Sequence, residues 1–212
     1  LGDFVVLMTL EGCNFLFPFY FDSAHGFTTS KISFLMMIYP VLSTVISPLA
    51  GVMSDKYVKP RIICIVAMIF VIVSTFMFTF LNINPSLPYI VFSLAVFGTS
   101  ITFFFTANTC FEMSQVSPRE EGITSAIISF TSNLASVVGI CLFETVYSLN
   151  FSYSTPGKIH INIPPAIHVD GFHNACYFAV IICAVGLAGM VLTKPKISVR
   201  SESTIRLRTG RF

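Results

Sequence analysis

The stretch FLMMIYPVLSTVISPLAGVMSDKYVKPR, residues 34–61, decides the fold. No residue from Phe34 to Ser54 is charged, and then Asp55, Lys56, Lys59 and Arg61 follow within a few positions. An apolar helix of about 20 residues can cross the hydrocarbon core of a bilayer. Basic residues directly after such a helix are typical of a short cytoplasmic turn. The stretch therefore predicts a membrane span that ends at the cytoplasmic surface.

Composition indicates the same class for the whole chain. Of its 212 residues, 54% are hydrophobic and 10% are charged, against about 25% charged in soluble domains. A net charge of only +2 predicts no nucleic-acid surface. The six cysteines all lie in apolar stretches without a CxxC pair, so we expect neither a metal site nor a cofactor. Because the chain begins with leucine, we interpret it as a truncated piece of a longer protein.

Five polar or Pro/Gly-rich segments divide the chain into six predicted spans. We therefore predict an all-α integral membrane protein, a six-transmembrane-helix bundle, whose membrane domain covers residues 1–193 and whose basic cytoplasmic tail covers residues 194–212. The predicted spans are residues 4–21, 30–53, 62–81, 89–111, 123–149 and 174–192.

The distribution of lysine and arginine predicts the orientation. Ten of these residues fall on the side that holds both chain ends, and only Lys31 and Lys158 fall on the other side. Because cytoplasmic segments carry the excess of basic residues, we expect both termini in the cytoplasm of a cell-membrane protein.

The polarity of the spans predicts their arrangement. The third and sixth are apolar all round, which favours peripheral positions, whereas the first, second, fourth and fifth look central. Two series of small polar residues at steps of three and four predict helix-packing or cavity faces. They are Thr99, Thr102, Thr106 and Thr109 in the fourth span, and Ser125, Ser129, Ser132, Ser136 and Gly139 in the fifth. Pro18, Pro40 and Pro48 lie within spans and predict bends.

Acidic residues in or near the spans are the candidates for transport chemistry. Glu11 lies inside the first span, with Asn14 one turn further along the same helical face. A carboxylate there is costly when charged, so Glu11 carries a proton, meets a cationic substrate, or is a protonated structural acid bonded to Asn14. Glu144, near the end of the fifth span, faces an outer vestibule or interfacial water. Glu112 ends the fourth span, where we expect solvent or loop bases as its partners.

The charged turn after the second span resembles a loop motif of the major facilitator superfamily of transporters, G-x-x-x-D-R/K-x-G-R/K-R/K. The matching positions are Gly51, Asp55 and Lys56, with Lys59 and Arg61 as the bases that follow. An acid at a helix end can hold the positive end of a neighbouring helix. The resemblance implies that this turn is a gating loop, and the alternative is an ordinary salt bridge within the turn.

A second segment, residues 117–145, resembles the fourteen-helix drug–proton antiporter branch of that superfamily. The residues in register with that branch are Pro118, Gly122, Ser125, Asn133, Leu134, Gly139 and Thr145. The resemblance implies half of a major-facilitator fold, the C-terminal half, which works by alternating access with a missing N-terminal portion of six to eight helices. In that arrangement Asn133 joins the packing or cavity face.

We therefore expect the C-terminal half of a secondary active transporter, not an enzyme. Proton-coupled efflux of lipophilic or cationic small molecules is the first hypothesis, with protons, the bilayer and the substrate as partners. A metabolite uptake or exchange carrier is an alternative, and so is a non-transporting half that acts as a remnant or dimerising regulator. A membrane-embedded enzyme is disfavoured because the sequence shows no G-x-S-x-G, no HExxH and no acid pair on one helix face. No catalytic residue is therefore assigned.

Overall fold

A computed structural model describes residues 2–56, 60–82, 85–114, 116, 120–154 and 165–192, without the side chains of 54–56, 60, 114 and 151–154. Every secondary-structure element in these ranges is a helix, as predicted. Within these described ranges, six segments are long and apolar enough to cross a membrane. The helices are α1 (Gly2–His25), α2 (Thr29–Met36), α3 (Ile38–Lys56), α4 (Pro60–Phe78), α5 (Leu87–Ser114), α6 (Glu121–Ser154) and α7 (Pro165–Leu192).

The bundle has two ends, which we name after a residue at each. The Arg61 end holds the start of α1, the end of α3, the start of α4 and the end of α7. The His25 end holds the end of α1 and the start of α5. Helix α1 stops there because Gly26 takes a φ of +59°, which closes the helix with a bond from Phe27 N–H to the Phe21 carbonyl.

The second span is divided into α2 and α3 at Met37, which is the one non-helical residue between them. Pro40 has no N–H to donate to the carbonyl of Met36, so the helical bonding lapses there. The chain keeps its direction because Met37 and Val41 still make helical hydrogen bonds to Ser33 and Met37 respectively. Proline thus produces a break in this span, whereas α1 continues through Pro18.

Helices α1 and α5 lie at the middle of the bundle. Helix α1 packs on α6 and α7, α5 packs on α3 and α4, and α4 packs on α7. Helices α3 and α6 therefore form the two flanks. The second and fifth spans are only 6% and 17% buried over their most apolar windows, against 61% for the first and 56% for the fourth. The sequence predicted these two spans to be central, but within this chain each has neighbours on one side only.

Glycines set the closest helix contacts, as small residues do in membranes. A Cβ atom on Gly139 would lie 2.5 Å from the Met8 carbonyl oxygen, so α6 meets the backbone of α1 there. One turn further along, the Phe143 ring fills the space over Gly12. On the other side of α1, Gly186 of α7 receives the side chain of Met68 from α4. These contacts fix the depth of α6 and α7 relative to α1.

An aromatic cluster fills the His25 half of the bundle. Phe17 packs edge-on against Phe78 with their ring centroids 5.0 Å apart, and Tyr20 stacks on Phe172 at 4.2 Å. The Tyr20 hydroxyl donates to the Leu81 carbonyl at 2.9 Å. The cluster joins α1, α4 and α7 through fully buried rings.

Candidate functional site

Helix α1 leaves one stripe of residues partly open along its length. Phe4, Leu7, Glu11, Asn14 and Pro18 are half-buried, and most of the residues between them are buried. Their spacing of three and four residues places them on a single helical face. Glu11 and Asn14 therefore share the open side of a helix that is otherwise covered by its neighbours.

Tyr39 of α3 is the residue that the structure brings to Glu11. The phenol lies within electrostatic range of the Glu11 carboxylate. It reaches that position because α3 contacts α5 at Gly98, where an added Cβ would lie 3.3 Å from the Tyr39 Cα atom. Sequence reasoning missed Tyr39, since nothing in the local pattern links the two residues.

The site therefore combines a carboxyl group, an amide and a phenol from two helices. A carboxyl group of this kind can carry a proton or balance a cationic ligand. The phenol and the amide can donate hydrogen bonds to the carboxylate or to a bound molecule. In the described part of the chain, no group of three His, Cys, Asp or Glu side chains is placed to hold a metal ion.

Glu144 lies elsewhere. Its side chain is exposed on α6. Gly139 faces α1, and Glu144 follows it by five residues, which places Glu144 about 140° around the helix at 100° per residue. Helices α1 and α6 run parallel, and the contacts Met8–Gly139 and Gly12–Phe143 set their register. Glu144 is therefore level with the middle of α1 but turned away from Glu11.

The four threonines of the α5 series lie in different surroundings. Thr102 is buried and donates to the Gly98 carbonyl at 2.7 Å, and Thr106 faces α3, with its hydroxyl 3.5 Å from that of Ser47. Thr99 lines a groove between α3, α4 and α5, and Thr109 is exposed. The series thus packs α5 against α3 at its centre and does not form one cavity face.

The polar series of α6 is largely satisfied within the helix itself. Three side chains donate to carbonyls one turn earlier: Ser125 to Glu121, Asn133 to Ser129, and Ser136 to Ser132. Gly139 is buried against α1, and Ser132 and Ser136 are half-buried beside it. Ser125, Ser129 and Asn133 are exposed, so the first half of α6 extends beyond its neighbours.

The predicted gating loop is described only in part. Gly51 lies in α3, and a Cβ atom added to it would be 3.9 Å from the methyl carbon of Thr106. Asp55 and Lys56 end α3, but their side chains lie outside the described atoms, and Lys59 lies outside the described residues.

Arg61 has a clear partner. Its guanidinium donates to the carbonyl oxygens of Met190 at 3.0 Å and Val191 at 3.4 Å, in the last turn of α7. A cation on these otherwise unsatisfied carbonyls complements the negative end of the helix dipole. Arg61 thus ties the start of α4 to the end of α7 within this chain.

A second polar group lies at the Arg61 end between α1 and α5. Asn108 is buried and donates to the Asp3 carboxylate at 3.4 Å. Asn108 also makes a side-chain hydrogen bond with Glu112. Sequence reasoning placed Glu112 in solvent or beside loop bases, whereas the structure pairs it with Asn108. The helical spacing of Asn108 and Glu112 was the signal that could have shown this pair.

Comparisons with known proteins agree with this architecture. Residues 1–140 match the family model described as Major Facilitator Superfamily. The riboflavin transporter RibZ of Clostridioides difficile (strain 630) is 22% identical over 174 residues, which are 82% of this chain and 37% of that protein. The uncharacterized MFS-type transporter YhcA of Bacillus subtilis (strain 168) is 25% identical over 158 residues, 72% of this chain and 29% of that protein.

The chain spans about a third of the length of these curated relatives. The family model covers more than half of the chain. The described part of the chain has six long apolar helices, as a multi-pass membrane protein does. The chain belongs to the major facilitator superfamily.

Proposed function

We propose that this chain is the C-terminal half of a secondary active transporter that exports lipophilic or cationic small molecules in exchange for protons. The observation that carries the proposal is Glu11, which lies in the middle of α1 on the open stripe and within range of Tyr39. An acidic residue inside a span is expensive to keep and marks ion or substrate pathways.

The proposed partner of this half is an N-terminal portion of six to eight helices. The open stripe of α1 and the sparsely buried flanks α3 and α6 leave room for further helices beside the bundle. Substrate sites in such transporters lie near the bilayer midplane, between two halves that rock against each other. Glu11 lies 14 residues before the end of α1 at His25, about 21 Å along the helix at 1.5 Å per residue, which places it inside the span.

The proposed mechanism is competition at Glu11. The protonated carboxyl group is neutral and releases a cation, and the charged carboxylate attracts one, so proton entry on one side drives substrate release. Asn14 and Tyr39 provide hydrogen-bond donors that orient the carboxyl group and the ligand. Glu144 is turned away from this site, so we propose no role for it in this mechanism.

The proposed gate is the turn that follows α3, with both chain termini in the cytoplasm of the cell membrane. Asp55 and Lys56 end α3, a helix whose one strong contact is with α5, and so they can reach a helix of the partner half. Gly51 lies just before this end, and an added Cβ atom there would make only an ordinary contact, 3.9 Å, with Thr106 of α5. Contacts of this kind hold the cytoplasmic side closed until the two halves separate.

Uptake or exchange of a metabolite is the second candidate. It is favoured by the likeness to a protein named a riboflavin transporter, which covers 82% of this chain. A planar aromatic metabolite suits the Tyr39 ring and the partly open Phe15 near Glu11. The two candidates share the same site and differ in substrate and direction.

The test is transport by the full-length protein with Glu11→Gln, measured in everted membrane vesicles under an imposed pH gradient. We expect pH-driven transport to fall at least tenfold, because glutamine cannot carry the proton. The matched control is Glu144→Gln, which removes an acid turned away from the site and should transport normally. Unchanged transport in Glu11→Gln would exclude proton coupling through this residue. Riboflavin and a lipophilic cation, tested in both vesicle orientations, separate the two candidate functions.

A further inference from the structure

The second span contains two prolines, and only one of them interrupts it. The span is divided three residues before Pro40, whereas α3 continues through Pro48. The hydroxyls of Ser43 and Thr44 both donate to the Pro40 carbonyl at 2.9 Å. A proline that lacks its N–H donor and hydroxyls that bond to the preceding turn are two common causes of a helix bend. Residues 37–40 are therefore the part of this span that bends most easily.

Helix α2 is held to the end of α1. Only residues 26–28 connect the two helices. The Phe27 ring stacks on Phe21 of α1 with their centroids 6.0 Å apart, and Nζ of Lys31 on α2 lies 3.5 Å from the centre of the Phe27 ring. Such a cation–π contact is attractive. With Leu35 as its one buried side chain, α2 thus stays beside the end of α1.

Helix α3 packs tightly on α5 near the break and loosely towards its own end. A Cβ atom on Gly98 would lie 3.3 Å from the Tyr39 Cα atom. Two turns further along, the hydroxyls of Ser47 and Thr106 are 3.5 Å apart, which is longer than an ordinary hydroxyl bond of about 2.7–2.8 Å. At Gly51, an added Cβ atom would still be 3.9 Å from Thr106. The contact therefore loosens with distance from Gly98.

Empty space lies beside the loosely packed end of α3. An apolar groove of about 560 Å³ is lined by Met53 of α3, Ile62 of α4 and Phe103 of α5, among others. The described residues leave this volume unfilled, so the end of α3 has room to move towards α4. Met53 lies about 24 Å along the helix from Met37, and a tilt of about 10° would therefore move it by about 4 Å.

We propose that residues 37–40 are a hinge about which α3 tilts, with Gly98 as the fulcrum, while α2 stays with α1. The tilt carries the end of α3 over the groove and towards α4. The role of this movement rests on the proposed function, in which it withdraws Asp55 and Lys56 from the partner half and opens the Arg61 side. The movement itself needs neither a substrate nor a proton, so it can be tested without transport.

The first test measures distances between pairs of spin labels in the full-length protein. One pair uses Val52→Cys on α3 with Ile69→Cys on α4, and the other uses Phe34→Cys on α2 with Ile69→Cys; all three positions are exposed. Cys110 and Cys141, which are not buried, are first changed to serine. We expect the α3–α4 distance to spread over at least about 4 Å more than the α2–α4 distance, since only α3 lies beyond the hinge.

The proline variants show whether the break causes this spread. Pro40→Ala should narrow the α3–α4 distribution to the width of the α2–α4 distribution, because alanine supplies the N–H that the Met36 carbonyl lacks. Pro48→Ala is the matched control, since α3 is already continuous there, and it should leave the distribution broad. Equal widths for the two pairs in the protein with Pro40 would overturn the hinge, and so would an α3–α4 distribution that Pro40→Ala leaves unchanged.

Should Pro40→Ala fail to fold, hydrogen exchange in the unmodified protein decides the question. The amides of residues 36–41 should exchange at least about tenfold faster than those of residues 44–50, because helical bonds at a hinge open more often. Equal exchange in the two segments would overturn the hinge. If the hinge is confirmed and Glu11→Gln transports normally, the movement stands and proton coupling through Glu11 falls. The reverse result removes the hinge alone.

Discussion

Tyr39 packs directly on Gly98, where a methyl group in place of the glycine hydrogen would lie 3.3 Å from the tyrosine Cα atom. Helix α3 therefore approaches the backbone of α5 at the level of the candidate site. The same contact carries the Tyr39 phenol towards Glu11 on α1. This small residue thus sets the closest approach of α3 and α5.

We predict that Tyr39→Phe lowers transport by the full-length protein about three- to tenfold while its thermal stability stays unchanged. The phenyl ring keeps the packing on Gly98, and only the hydroxyl near Glu11 is lost, with an energy of about 0.5–1.5 kcal/mol. Initial transport rates at fixed pH measure the effect. Tyr177→Phe on the exposed face of α7 is the control. Equal rates in both variants would remove Tyr39 from the site.

Gly139→Ala should destabilise the bundle by about 1–3 kcal/mol, the usual cost of overpacking a close contact. The new methyl group would lie 2.5 Å from the Met8 carbonyl oxygen, so α6 must move away from α1. Gly122→Ala on the same helix meets nothing within 4 Å and should be neutral or slightly stabilising. Denaturation midpoints in detergent compare the two. Equal midpoints would show that this contact does not limit the approach of α6.

Arg61→Met should destabilise α4 and α7 by about 1–2 kcal/mol, because the last carbonyls of α7 lose a charged donor. Hydrogen exchange should increase in the last turn of α7, around Met190, and not in α1. Arg61→Lys is the matched variant, since it keeps the charge but not the planar donor group, and it should restore part of the protection. Unchanged exchange in Arg61→Met would contradict the capping role.

Tyr20→Phe and His173→Phe should each destabilise the protein by about 1 kcal/mol. Both side chains bond to the carbonyl oxygen of Leu81, the hydroxyl of Tyr20 at 2.9 Å and Nε2 of His173 at 2.8 Å. Because they share one acceptor, the double variant should cost more than the sum of the two single changes. A thermal-unfolding cycle of the four proteins measures this coupling, and strict additivity would show that the two bonds act independently.

Much of the fold followed from local pattern. The charge-free run after Phe34 and the basic turn at Arg61 predicted a span and its end, and α3 and α4 are divided there. The break at Met37 was only partly foreseen, because Pro40 predicted a bend and the structure shows where the missing hydrogen bond interrupts the helix.

The candidate site was less accessible to sequence reasoning. Glu11 and Asn14 share a face because helical spacing requires it, but their neighbour Tyr39 depends on how α3 docks on α5. The bond from Arg61 to Met190 joins residues that are 129 positions apart. The orientation of Glu144 likewise depends on which face of α6 meets α1. Such contacts are set by tertiary packing, so they cannot be predicted from the spacing of residues along one helix.

The two glycine contacts between α1 and α6 have a mechanical consequence. Met8 meets Gly139, and Gly12 meets Phe143, so two points four residues apart lock the helices in parallel register. If α6 moved along α1 by one residue, a side chain in place of Gly139 would clash with the Met8 backbone, and the Phe143 ring would lose its contact with Gly12. The pair can therefore tilt as one rod but cannot shear. A displacement of the exposed first half of α6 would therefore move α1 by the same distance at the level of Glu11.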